Sequence, residues 1–133
     1  MKLGVGRALT GVAALTVAAV VVFPGSAAAS PEPPGDGWDH VFSAKGVTVY
    51  VEEYGDIVSV CDSLANGYAA TVFVESGAGT LFYSAKASNG AGTCTTHRAS
   101  EGGKYNLPEK LSYTVVYDGS EEASDLSVFY NDH

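Results

Sequence analysis

The sequence predicts an all-β protein: a small Greek-key-like β-sandwich of six to seven antiparallel strands. Three observations carry that expectation. Apolar and polar residues alternate with a period of two in several short runs, 47–51 and 111–117 among them. Turns rich in Gly, Asn and Asp separate the runs, and helical periodicity is missing after residue 29. The only two cysteines, Cys61 and Cys94, leave one possible disulfide. A small barrel is the alternative closure of the same strands.

The elements follow in order. Residues 1–29 read as a targeting signal, with Lys2 and Arg7 ahead of an apolar run at 8–23. Pro24 and Gly25 break that run, and Ala27, Ala28 and Ala29 offer the small residues of a cleavage site, expected after Ala29. The unbroken core, 17–23, is short against the roughly 20 residues a spanning helix needs. Residues 30–37, with Pro31, Pro33 and Pro34, form a flexible leader that cannot join a sheet. One domain is expected over 38–133, with Trp38 and Phe42 tucking its start against the core.

Strands are expected at 47–51, 57–62, 68–75, 80–86, 93–98, 110–117 and 124–130. The stretch 57–75 reads as two strands folded back on each other about Asn66-Gly67, a strong turn dipeptide. On the last strand Leu126, Val128 and Tyr130 share one face, read as core. Pro108 makes 105–109 a crossing segment or an edge.

The block Val58-Ser59-Val60-Cys61-Asp62-Ser63-Leu64-Ala65-Asn66-Gly67-Tyr68 resembles one in small exported proteins of high-GC Gram-positive bacteria, the Streptomyces kind. Those pair a V-x-V-C-D strand end with a D/N-G-x turn and a later cysteine. The likeness covers residues 47–130 and implies the fold and the export. It carries over no catalytic residue. Two cysteines in place of four set the chain apart from the exported subtilisin inhibitors, amylase inhibitors and chromoproteins of the same bacteria.

Composition bounds function. Without residues 1–29, 5 basic residues face 15 acidic ones, a net charge of −10. That surface repels nucleic acid and anionic lipid. In an oxidising compartment Cys61 and Cys94 pair, and the bridge is expected to pin the two layers of the sandwich together. No Cys-x-x-Cys is present, so neither a redox motif nor a thiolate metal site is expected. His40, His97 and His133 lie in no catalytic signature, and His97 is expected to face solvent. Glu52-Glu53 and Glu121-Glu122 sit in turns as solvated pairs. Asp62 and Asn66 share a loop with Gly67 and are the calcium candidates. The competing account has Asp62 bonding turn amides while Asn66-Gly67 makes the turn.

Tyr50, Tyr54, Tyr68 and Tyr105 are the tyrosines expected to be exposed. The reading is therefore a secreted, non-catalytic protein with no cofactor, binding another protein outside the cell. One form of that is inhibition of an extracellular enzyme through the loop 87–92. The alternative is a carbohydrate-binding module that stacks sugar rings on the exposed tyrosines.

Overall fold

A computed structural model of the chain describes residues 32–33 and 37–133. The expected signal and most of the leader lie outside the described residues. Eight strands form: β1 (His40–Ala44), β2 (Val47–Glu52), β3 (Ile57–Asp62), β4 (Ala70–Ser76), β5 (Leu81–Ala87), β6 (Cys94–His97), β7 (Leu111–Asp118) and β8 (Asp125–Asn131). Two single 3₁₀ turns, Ala99–Glu101 and Gly103–Tyr105, lie between β6 and β7. Sheet A has the order β1-β2-β3-β6 and sheet B the order β5-β4-β7-β8, all antiparallel. β6 returns beside β3, and β7 beside β4, which is the Greek-key trait. Among the described residues no helix is long and apolar enough to cross a membrane.

The core lies between the sheets. Sheet A contributes Val47, Val49, Val51, Val58 and Val60; sheet B contributes Val72, Val74, Tyr83, Tyr113, Val115, Tyr117 and Phe129. The alternation that predicted strands is the alternation that builds this layer. After β6 the chain crosses back to sheet B, and Leu107 fills the space at that end. Residues 105–109 are thus the crossing segment and not an edge.

Four expectations change. First, β3 and β4 are not a hairpin; they sit in different sheets. Their connection crosses between the layers, and on it Asn66 Nδ2 donates to Gly119 O (2.8 Å), a contact no local rule contains. Second, the disulfide does not join the layers. Cys61 and Cys94 stand directly opposite on the neighbouring strands β3 and β6, with Cα atoms 4.0 Å apart. Such closeness belongs to a pair that exchanges no ladder bonds. Third, residues 40–44 form a strand, with His40, Phe42 and Ala44 turned inward. Phe42 packs on Tyr117, whereas Trp38 packs on Tyr50, on the other face of sheet A.

Fourth, β8 faces the other way. Ser127, Phe129 and Asn131 point inward, and Leu126, Val128 and Tyr130 point to solvent. The β7–β8 ladder pairs Tyr113 with Phe129 and Val115 with Ser127. Two inward polar groups are bonded, Ser127 Oγ with Tyr117 OH (2.9 Å) and Asn131 Nδ2 donating to Asp56 Oδ1 (2.8 Å), while the buried Asn131 Oδ1 has no hydrogen-bond partner among the described residues. Asp56 Oδ2 accepts the Leu107 N–H (2.9 Å). A slip of β8 by one residue would break the bonds of both Ser127 and Asn131 at once.

The buried tyrosines set the alkaline limit of this core. Burial raises the Tyr83 phenol well above its ordinary value near 10, helped by the nearby Asp56 and Glu101 charges. Burial, then Asp56, raises Tyr113, and burial, then Glu32, raises Tyr50. A raised folded-state pKa gives stability that is full below the unfolded value and lost as pH rises through the folded one. Unfolding is therefore expected above a pH of about 10. Phenolate absorbance should rise in two stages, the later one coinciding with loss of the β circular dichroism signal. A single stage complete before unfolding would contradict the burial of Tyr83.

Candidate functional site

An open groove of about 430 Å³ lies at one end of the sandwich. Asp62, Leu64, Asn66 and Tyr68 line one wall, from the β3–β4 connection; Ser88 and Ala91 line the other, from the β5–β6 loop. Local bonds shape the first wall. Leu64 N–H donates to Asp62 Oδ1 (3.1 Å), Asn66 N–H to Leu64 O (2.9 Å), and Tyr68 N–H to Asn66 Oδ1 (3.0 Å). Asp62 and Asn66 each bond the backbone two residues on, the habit that makes these residues turn formers. Ser63 N–H donates to Gly46 O (3.2 Å), and Asn66 ties in Gly119, so the wall hangs on both flanking hairpins.

The second wall is anchored to the same residue. Asp62 N–H donates to Thr93 O (2.9 Å), and Gly92 N–H donates to Asp62 O (2.8 Å). Thr93 Oγ1 closes the loop onto Gly90 O (2.6 Å). Asp62 thus holds one wall with its carboxylate and the other with its backbone. The disulfide sits one residue away and fixes β6 against β3. Leu64 and Tyr68 remain exposed on this bonded frame.

The groove gathers several residues that sequence reasoning singled out separately: Asp62, Asn66, Tyr68 and part of the 87–92 loop. As calcium candidates, Asp62 and Asn66 are both engaged as turn acceptors, and the Asn66 amide is turned to Gly119. A different trio, Glu53, Asp132 and His133, brings its ligand atoms within 4.8 Å of one another. Glu53 there is already bonded to His40 (2.6 Å).

The four tyrosines do not form a row. Tyr50 is buried against Trp38 on sheet A. Tyr105 is half-buried and stacked on His97, with ring centroids 4.3 Å apart. Tyr54 and Tyr68 are exposed but belong to different connections, β2–β3 and β3–β4. Tyr50 misleads because Trp38, from the segment ahead of β1, packs over it. Tyr105 misleads because its partner arrives from β6.

His97 is likewise not solvent-facing. Its ring lies against Tyr105 and edge-on to Tyr83, and Nδ1 bonds Glu101 Oε2 (2.8 Å). That bond holds the Glu101 carboxyl below its usual range. His40 bonds Glu53, and His133 lies 3.2 Å from Asp132. Each histidine therefore has a carboxylate neighbour.

The fold and the groove together define a disulfide-bonded, two-sheet all-β protein with an end-on cleft between loops. Comparison with protein-family models, curated proteins and solved structures finds no match.

Proposed function

We propose that the chain is an exported, non-catalytic protein that binds another protein through the groove between the β3–β4 connection and the β5–β6 loop. The observation carrying this reading is the exposure of Leu64 and Tyr68 on a wall whose backbone is bonded at both ends. Large apolar side chains presented on a bonded backbone in an open cleft favour protein partners, because little loop ordering is left to lose on docking. The exposed loop beyond Ala87 gives such a partner a second contact, as an inhibitor of an extracellular enzyme would. The basic, then apolar, N-terminal segment and the likeness of residues 58–68 to exported bacterial proteins support the export. The acidic surface disfavours nucleic acid. A glycan reading rests on the single Tyr68 ring.

Immobilised protein exposed to culture medium of the producing cells is expected to retain one protein saturably. Leu64→Asp and Tyr68→Asp are each expected to weaken that binding by ~tenfold or more, about 1.4 kcal/mol, when it is remeasured with the identified partner. Retention untouched by both substitutions would remove the groove from the reading. Binding to a glycan array with no protein retained would replace the protein partner with a sugar.

A further inference from the structure

Strand β8 is an edge of sheet B: among the described residues it pairs with β7 alone. Edge strands carry unpaired N–H and C=O groups and are usually guarded by charge, proline or a bulge. Residues 126–130, Leu-Ser-Val-Phe-Tyr, have no charge and no proline, and their ladder to β7 runs without a register shift. The outward side chains of this edge are apolar: Leu126 is 63% exposed, Val128 56% and Tyr130 49%. Acids lie only at its ends, Asp125 and Asp132.

We propose that β8 pairs with β8 of a second copy of the chain, antiparallel about a twofold axis at Val128. The two sheets B then join into one. In that register the strand complements itself. Leu126 of each copy faces Tyr130 of the other, Ser127 faces Phe129, and Val128 faces Val128. Asp125 meets Asn131 and Asp132 meets Ser124, so no acid opposes an acid along the seam. Centring the axis on Ser127 would set Glu122 against Asp132, and like charges directly opposed destabilise a ladder. Centring it on Phe129 would set Asp132 against Leu126. Val128 is the centre that keeps the chain's negative charge out of the apolar seam, and a self-complementary patch is what a twofold dimer requires. The joined sheet also extends the outer apolar rows, since Phe73, Val116 and Leu126 lie side by side across β4, β7 and β8.

Sedimentation equilibrium of the purified chain, from micromolar to millimolar concentration, tests this. The wild type is expected to reach the dimer mass. Val128→Lys places two like charges on the axis and is expected to raise the dissociation constant ~100-fold or more, as is Val128→Asp. An equal mixture of the two variants is expected to restore the dimer, because lysine then faces aspartate. Phe73→Lys, on the same outer face but two strands from the seam, is expected to leave the mass unchanged. Circular dichroism of each variant confirms the fold. If the Val128 variants do not fold, a mixture of Leu126→Lys and Tyr130→Asp chains reads the same seam. A monomeric wild type, a dimeric Val128→Lys chain, or a mixture that stays monomeric would overturn the proposal. So would a Phe73→Lys chain that dissociates, since that result means stacking of faces and not pairing of edges.

Discussion

Replacing Cys61 and Cys94 together by alanine is expected to lower stability by about 3–4 kcal/mol. The bridge closes a loop spanning 33 positions, and the chain-entropy relation gives that magnitude for a loop of this length. For a domain with a net stability of about 5–15 kcal/mol, that is about a fifth of the total or more. The melting temperature should fall by on the order of 15 °C. The structure says where the loss is felt first. β6 is four residues long, ends sheet A, and has β3 as its only sheet partner among the described residues. Without the bridge its ladder alone must hold it, and short edge elements open below the global free energy. Amides of β6 and of the groove's second wall should then exchange with solvent before those of β2 and β4. Urea unfolding and hydrogen exchange measure both effects. A stability change below about 1 kcal/mol would show that the unfolded chain gains little freedom when the link is cut. Uniform exchange across both sheets would show that β6 is not the weak member.

How much of this was legible in the residues depends on the range of the contacts involved. β2 and β7 were plain, because Val47, Val49 and Val51, and Tyr113, Val115 and Tyr117, alternate over one face that one sheet buries. The cysteine pair was plain because only one pairing exists. The partner of each strand was not. Asn66-Gly67 is turn chemistry, yet the Asn66 side chain also reaches Gly119, 53 residues on, where the chain passes to the other sheet. The facing of β8 was hidden for a similar reason. Hydrophobicity favours Leu126, Val128 and Tyr130 inside, but Asn131 is drawn in by Asp56, 75 residues away. A buried asparagine bonded to a buried carboxylate outweighs the apolar pattern, because either group without its partner would be costly to bury. The groove was visible only in fragments. Asp62, Asn66, Tyr68 and the 87–92 loop each stand out alone in the sequence, but their meeting depends on the Asp62 backbone bonding Gly92 and Thr93.

The same end of the molecule supports a prediction that separates two kinds of glycine. Gly46→Ala is expected to cost about 4 kcal/mol or more, Gly119→Ala about 3 kcal/mol, and Gly67→Ala about 1 kcal/mol. Gly46 has φ +80, and a Cβ built there would lie 2.2 Å from Gly119 O. It therefore combines left-handed backbone strain with a collision. Gly119 has no such φ, but its Cβ would lie 2.4 Å from Gly46 C and 2.7 Å from Val47 N, so it suffers the collision alone. Gly67 has φ +81 and open space around it, so it suffers the strain alone. The atoms struck are backbone, which no rotamer change can move aside. Relief requires the β1–β2 turn and the β7–β8 loop to separate. That separation reaches the groove, because Gly119 O accepts Asn66 Nδ2 and Gly46 O accepts Ser63 N–H. Gly119→Ala should thus loosen the wall that presents Leu64 and Tyr68, while Gly67→Ala, for all its strain, leaves both anchoring bonds in place. Urea unfolding of the three variants reads the order directly. If Gly119→Ala proves as mild as Gly67→Ala, the two hairpins do not touch at these glycines, and the groove's first wall loses that support.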